Sequence, residues 1–304
     1  MAVRLLLVAV LHLASTAALA QPAGRAPRRQ PAIPDGVKIV ADLEYVAGGH
    51  QRQRLDLYLP EKSTGPLPVI LWVHGGGWRA GDKAASPAAF LAAKGFVVAS
   101  MNYRLSQHAV FPAQIHDCKA AVRWLRANAA KYGLDAPRIG AWGSSAGGHL
   151  VSLLATTNGL KELEGDEGNL DQPSDVQAVV DWFGPTDLLT VGAKDTRSNL
   201  LGGDAQSIPE KARRASPMTY VSAKACPTLI MHGDADKTVP ISQSETFAKA
   251  LKAAGADSTL VVVPGAGHGV GQFKSPEQLQ PVEQFFVKHL QHHEPNTPAT
   301  EVPR

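Results

Sequence analysis

A pentapeptide near the middle of the chain, Gly143-Ser144-Ser145-Ala146-Gly147, constrains the fold more than any other feature. Residues 138–142 before it have the character of a short strand, and residues 148–155 after it predict a helix. The pattern G-x-S-x-G between a strand and a helix is typical of a sharp turn that only small neighbouring residues allow the backbone to make. The sequence therefore predicts that Ser145 presents its hydroxyl at the end of a strand.

The rest of the chain alternates between strand-like and helix-like patterns, which predicts an α/β fold. Residues 37–46 and 54–59 alternate apolar and polar positions, as an antiparallel pair does when one of its faces is exposed. Buried strands are predicted at 69–73, 96–101, 138–142, 176–183, 228–232 and 258–263, and helices at 84–94, 115–132, 148–155, 242–254 and 276–289. These elements predict one domain over 35–292, built on a mostly parallel sheet of about eight strands with helices on both faces.

Residues 184–224 interrupt this alternation after the sixth strand. They are rich in Gly, Ser, Asp and Arg and have only short apolar pieces. A connection of this length inside a compact domain is usually functional. We therefore expect the segment to form a short lid over the mouth of the sheet.

The two ends of the chain predict segments outside the fold. Residues 1–20 have the pattern of a secretory signal peptide: Arg4 precedes an apolar run, and Ala18-Leu19-Ala20 supplies small residues for cleavage. We expect export to the periplasm or the medium, with an uncleaved anchor as the alternative. A flexible leader is predicted at 21–34 and a disordered tail at 293–304.

Charge and cysteine content exclude some classes of partner. The formal net charge is +3, but four arginines lie before residue 30 and leave the remainder close to neutral. Since no basic patch is visible, we expect neither a nucleic-acid partner nor a membrane-surface partner. Cys118 and Cys226 are predicted at opposite ends of the sheet, so two buried thiols are favoured over a disulfide.

Four motifs follow predicted strands and meet at one edge of the sheet, because loops after parallel strands converge there. They are His74-Gly75-Gly76-Gly77-Trp78, the Ser145 pentapeptide, His232-Gly233-Asp234-Ala235-Asp236 and Pro264-Gly265-Ala266-Gly267-His268. Ser145 needs a base to take its proton, and His268 is placed to act as that base. The backbone N–H groups of Gly76, Gly77 and Ala146 are predicted to form an oxyanion hole. His74 is predicted to brace this loop.

These motifs resemble those of α/β-hydrolase carboxylesterases, in particular the bacterial feruloyl-esterase-like and acetylesterase branch. The resemblance runs from Leu55 to Phe286 and rests on HGGGWRAGDK (74–83), NYRL (102–105), Phe111-Pro112 with Asp117, GSSAGG (143–148), HGDADKTVP (232–240) and GAGH (265–268). The glycine motif is also similar to that of hormone-sensitive-lipase relatives, although Ser144 stands where those usually have aspartate. The matched pattern implies Asp236 as the acid of the triad, with Asp234 as its rival.

The resemblance implies a serine carboxylesterase that acts on short-acyl esters, or on acetyl and hydroxycinnamoyl esters of plant carbohydrate. No cofactor or metal is expected, and oligomeric state is not predicted. Three aromatic residues near strand ends, Trp78, Tyr103 and Trp182, are candidates for lining the substrate pocket, with core packing as the alternative. The acidic run 162–167 is read as a solvated loop, with a calcium site as the alternative. Two other functions stay open, a prolyl-oligopeptidase-like serine peptidase and a non-catalytic binding module.

Overall fold

The structure, a computed structural model, describes residues 33–84, 86–191 and 194–291. The predicted signal peptide, the leader up to residue 32 and the predicted tail lie outside these residues. Among the described residues, no helix is long and apolar enough to span a membrane.

The described residues form an alternation of strands and helices. The strands are β1 (Val37–Glu44), β2 (Arg54–Pro60), β3 (Leu67–Val73), β4 (Val97–Met101), β5 (Leu134–Ser144), β6 (Ala178–Trp182), β7 (Thr228–Gly233) and β8 (Ser258–Val263). The α-helices are α1 (Ala113–Ala127), α2 (Ala129–Tyr132), α3 (Ala146–Thr156), α4 (Lys194–Leu201), α5 (Pro209–Arg214), α6 (Ser242–Ala253) and α7 (Pro276–Phe286). Short 3-10 helices cover Pro87–Lys94, Lys161–Leu163, Pro217–Tyr220 and Gln272–Lys274, and a π-helical turn covers Val287–Gln291.

The eight strands form one sheet in the order β1-β2-β4-β3-β5-β6-β7-β8. β1 and β2 run antiparallel to their neighbours, and the other six strands are parallel to one another. Most strand side chains alternate between two buried clusters, one under α1 and α3 and the other under α7, and a smaller cluster joins β7 to α6. The predicted sheet, with two antiparallel and six parallel strands and helices on both faces, is confirmed.

Some helix predictions need correction. Residues 87–94 form a 3-10 helix rather than an α-helix. The predicted helix 115–132 is divided at Asn128, whose side-chain amide donates to the Trp124 carbonyl at 2.9 Å and so caps α1. The closing helix ends earlier than predicted, at Phe286, where the backbone becomes π-helical.

The segment after β6, 184–224, is more ordered than a loop. It contains α4, α5 and a 3-10 helix, and Leu200, Leu201 and Ala212 are fully buried in the same cluster as α3. Its sequence conceals this packing because the apolar residues are few and dispersed. Cys118 and Cys226 are both free and buried, as predicted.

Candidate active site

Ser145 lies on the turn between β5 and α3 in a strained backbone conformation, with φ 55° and ψ −118°. Its N–H donates to the Trp182 carbonyl at 2.8 Å, which anchors the turn to β6. The glycines around it are sterically required: a Cβ on Gly143 would lie 2.3 Å from the Gly147 oxygen, and one on Gly147 would lie 2.0 Å from the Val73 oxygen. Close backbone approach, as predicted, exposes the serine hydroxyl.

A hydrogen-bonded chain connects the three predicted catalytic residues. The Ser145 Oγ is 2.8 Å from the His268 Nε2, and the His268 Nδ1 is 2.7 Å from the Asp236 Oδ2. An ionised carboxylate accepts a hydrogen bond from Nδ1–H, which fixes the proton on Nδ1 and leaves Nε2 as the acceptor for the serine hydroxyl. The arrangement equips His268 to remove the proton from Ser145.

Asp236 is buried and held in its ionised form. Burial alone raises the pKa of this carboxyl, but hydrogen bonds from His232, His268 and the backbone N–H groups of Val239 and Thr238 outweigh burial and hold the pKa well below its usual value. His232 donates from Nε2 to the Val239 carbonyl at 2.9 Å and bonds Ser244 through Nδ1 at 2.7 Å. The sequence motif alone indicates no role for His232. The structure shows that it braces the loop after β7 that carries Asp236, here called the acid loop.

The rival carboxylate, Asp234, lies elsewhere. It is exposed, and its Oδ1 accepts a hydrogen bond from the Gly265 N–H at 2.6 Å. This contact ties the acid loop to the loop that carries His268. The structure therefore supports Asp236 as the partner of the imidazole and gives Asp234 a structural role.

The glycine loop after β3 lies against the nucleophile turn. A Cβ on Gly75 would be 3.2 Å from the Ser145 Cβ, so the two loops are in contact. Gly76 and Gly77 have positive φ values of 116° and 60°, which only glycine adopts readily. Ala146 is the first residue of α3, where backbone N–H groups have no acceptor within the helix and the helix dipole favours negative charge. The structure thus brings the three predicted oxyanion residues to one place.

His74 braces this loop, as predicted. Its Nδ1 is 2.7 Å from the Gly75 carbonyl, its Nε2 is 3.1 Å from Arg52, and its ring stacks on Tyr103 at 4.5 Å. Burial lowers the pKa of His74 to about 4, so the ring is neutral near pH 7. A neutral ring with the proton on Nδ1 satisfies both contacts.

His149, one turn after Ser145 on α3, is a residue that sequence reasoning missed. It is fully buried; its Nδ1 accepts from the Trp78 indole at 3.1 Å and its Nε2 donates to the Ala215 carbonyl at 2.6 Å. Burial lowers the pKa of His149 to about 4 and keeps it neutral. One imidazole therefore joins the glycine loop, the nucleophile helix and the segment 184–224.

The three aromatic candidates for substrate contact are core residues instead. Trp182 is fully buried and packs against Trp142 at 4.7 Å, on the sheet face under α7. Tyr103 is also fully buried and donates to the His74 carbonyl at 3.0 Å, while Trp78 is 3% exposed. In this structure all three side chains pack in the core, which was the alternative to lining the pocket.

The acidic run is only partly the solvated loop that was predicted: Glu162 and Asp166 are exposed, whereas Glu164 and Glu167 form ion pairs. Glu164 bonds Lys119 at 2.7 Å and Arg123 at 3.1 Å, and Glu167 bonds Arg104 at 2.9 Å. These basic residues lie on α1 or just before it and hold the loop against the domain. In the described part of the chain, no group of three or more His, Cys, Asp or Glu side chains is arranged to hold a metal ion.

Comparison with known proteins places the chain in a family. The BD-FAE family model matches residues 55–251. Esterase LipC of Mycobacterium tuberculosis is 31% identical over 258 residues, which cover 80% of this chain and 64% of LipC. The chain spans less than two thirds of the length of the curated relatives it matches: 64% of LipC, and 56% and 59% of esterase LipQ and the probable carboxylic ester hydrolase LipM of the same organism.

Solved structures agree with the family model. A truncated carbohydrate esterase from gut microbiota has 35% identity and a TM-score of 0.82, and the match covers 87% of this chain and all of that one. An acetyl ester-xyloside bifunctional hydrolase from Caldicellulosiruptor lactoaceticus has 29% identity and a TM-score of 0.69 over 77% of this chain and 87% of that one. The chain therefore belongs to the BD-FAE family, and it has the α/β-hydrolase fold of a carboxylesterase of the feruloyl-esterase-like kind.

Proposed function

We propose that this protein is an exported serine carboxylesterase that works through an acyl-enzyme on Ser145. The observation that carries the proposal is the chain of hydrogen bonds from Ser145 to His268 to Asp236, with distances of 2.8 and 2.7 Å. A binding module has no need for this alignment, whereas a nucleophilic mechanism depends on it.

The geometry indicates the order of steps. The Ser145 Oγ attacks the ester carbonyl carbon as its proton moves to the His268 Nε2, and the carbonyl electron pair moves onto the oxygen. The resulting oxyanion is stabilised by the N–H groups of Gly76, Gly77 and Ala146. Collapse breaks the bond to the alcohol, which takes the proton from His268. Water then repeats the sequence on the acyl-enzyme and releases the acid.

The proposed substrates are short-acyl esters, including acetyl or hydroxycinnamoyl esters of plant-derived carbohydrate. Support comes from two solved relatives, one called a carbohydrate esterase and the other an acetyl ester-xyloside hydrolase. A panel of acetylated xylo-oligosaccharides, methyl ferulate and p-nitrophenyl esters of increasing chain length tests this choice. A preference for long acyl chains would contradict it.

Two variants at adjacent serines test the mechanism. We expect Ser145→Ala to lower kcat for p-nitrophenyl acetate by roughly 10⁴–10⁶-fold. Ser144→Ala is the matched control, because it removes the neighbouring hydroxyl and should retain most activity. A fluorophosphonate probe should label the wild type and Ser144→Ala but not Ser145→Ala. Full activity in folded Ser145→Ala would refute the assignment.

Two further measurements address the alternatives. Comparing an anilide with the ester of the same acid separates an esterase from a peptidase, and faster anilide cleavage would favour the peptidase. For export, we expect protein recovered from the periplasm or the medium to begin at Gln21 by mass spectrometry. An intact residue 1 in that protein would instead indicate an uncleaved anchor.

A further inference from the structure

A cavity of about 420 Å³ lies beside the glycine loop. It is lined by Arg79, Ala80, Ser106, Gln107 and Asn199. These residues come from three separate parts of the chain: the loop after β3, the loop after β4 and helix α4 of the lid segment. None of the five is acidic and none is a large apolar residue, so the cavity offers a polar lining with one positive charge.

Backbone hydrogen bonds join this lining to the proposed oxyanion site. The N–H groups of Arg79 and Ala80 donate to the Gly76 carbonyl at 3.2 and 3.1 Å. The Ser106 N–H donates to the Trp78 carbonyl at 2.7 Å, and the Gln107 side-chain amide donates to the Arg79 carbonyl at 3.2 Å. The cavity therefore adjoins the loop that carries the proposed oxyanion donors.

Apart from Gln107, the polar side chains that line this cavity are not engaged by the protein. Within the described ranges, the Arg79 guanidinium, the Ser106 hydroxyl and the Asn199 amide make no hydrogen bond or ion pair, and Arg79 and Asn199 are exposed. By contrast, Arg104, close by in sequence, is fully committed to Asp117 and Glu167. A free guanidinium presents a planar set of donors that matches a carboxylate.

We propose that this cavity is a recognition subsite for a carboxylate carried by the ester substrate, with Arg79 binding the carboxylate. Ser106 and Asn199 then donate to or accept from hydroxyl groups beside it. The inference rests on the proposed esterase function and adds to it a preference for esters that carry a carboxylate. The carboxylate belongs either to the acyl group, as in a dicarboxylic half-ester, or to the alcohol, as in an esterified uronic acid.

Paired substrates that differ in one charge test the subsite. 4-Nitrophenyl butyrate and 4-nitrophenyl hydrogen succinate have four-carbon acyl groups and differ by a terminal carboxylate. Acetylated glucose and acetylated glucuronate place the charge on the alcohol instead. We expect Arg79→Gln to lower the ratio of charged to neutral kcat/KM by roughly three- to tenfold in one of the two pairs, chiefly through KM. The affected pair identifies which part of the substrate occupies the cavity.

Two variants and one condition control for other effects. Arg79→Lys keeps the charge and should restore most of the ratio, and 0.5 M NaCl should reduce the wild-type ratio because the site is open to solvent. Lys62→Gln removes an exposed charge at the opposite edge of the sheet and should leave the ratio unchanged. An unchanged ratio in Arg79→Gln for both pairs would overturn the subsite alone. Hydrolysis of no ester by the wild type would overturn the esterase function and the subsite with it.

Discussion

The imidazole of His149 offers a direct test of how the site is supported, through the substitution His149→Phe. Phenylalanine keeps a planar ring at the 5.1 Å edge-to-face contact with Trp78, so the packing is largely conserved. Both nitrogens are lost, however, and the Trp78 indole N–H and the Ala215 carbonyl are left without their partners in a buried place. The variant therefore isolates the polar contribution of this residue.

The expected loss follows from the two groups left unpaired. Each buried unsatisfied donor or acceptor costs about 1–3 kcal/mol, so His149→Phe should lower the free energy of unfolding by about 2–6 kcal/mol. Trp78→Phe leaves only the His149 Nδ1 unpaired, which should cost about 1–3 kcal/mol. The packing lost with the smaller phenylalanine ring adds to this cost. The double variant removes both the Trp78 indole N–H and the His149 Nδ1, so neither atom is left unpaired. The combined loss should thus be about 2–6 kcal/mol less than the sum of the single losses.

Urea unfolding followed by tryptophan fluorescence and circular dichroism measures these free energies, and p-nitrophenyl acetate hydrolysis measures the effect on the site. We expect kcat to fall with little change in KM, because Trp78 directly follows Gly77 and the oxyanion donors act mainly in the transition state. Losses that add to within about 0.5 kcal/mol would show that the two residues are energetically independent. That result would refute the proposed connection.

Three further substitutions test other parts of the structure. Asp236→Asn should reduce kcat by roughly 10³–10⁴-fold because it favours the wrong imidazole tautomer; steady-state kinetics with a loss below tenfold would argue against its role. Gly147→Ala places a Cβ 2.0 Å from the Val73 oxygen, so we expect a loss above about 3 kcal/mol in urea unfolding, and near-wild-type stability would contradict the close approach. Burial raises the pKa of Asp181 from 3.8 to about 6 against opposing hydrogen bonds from Ser152 and Gly184, so the folded state binds its proton more tightly than the unfolded chain. Stability should fall by about 3 kcal/mol as pH rises from 4 through 6. Asp181→Asn should lose this slope in urea unfolding at a series of pH values, and an unchanged slope would exclude Asp181 as its source.

The sequence patterns predicted the features that depend on residues close together in the chain. The apolar run 69–73 forms the buried part of β3, and the small residues around Ser145 predicted the turn whose close contacts the structure shows. The run 258–263, predicted as a buried strand, is instead the edge strand β8, in which Val262 is 43% exposed. A strand buried on both faces needs a continuous apolar run, and a tight turn needs glycine. These requirements act within a few residues, so the sequence states them directly.

Side-chain contacts between segments far apart in the chain could not be predicted from such local patterns. Glu164 meets Lys119 and Arg123 across 41 to 45 positions, and nothing in an acidic run specifies that basic partners lie on an earlier helix. His149 lies within an apolar helical pattern, where its hydrogen bond to Ala215, 66 positions later, leaves no local signal. The hydrogen-bond partners of buried polar groups can be identified only when the relative positions of the helices and of the segment 184–224 are known.

Two pairs of loops in close backbone contact fix the positions of the catalytic side chains. On one side, the glycine loop and the nucleophile turn are fixed by the contact of Gly147 with β3. On the other, a Cβ on Gly233 would lie 2.1 Å from the Ala266 oxygen, so the acid loop and the His268 loop are equally close. Phe183, just after β6, lies between the pairs and packs edge to face on the imidazole of His268 at 5.0 Å. With Asp236 bonded to one edge of that ring and Phe183 against it, the imidazole has little freedom to turn. The 2.8 Å contact with Ser145 is therefore a consequence of sheet order, because β5, β6, β7 and β8 are neighbours.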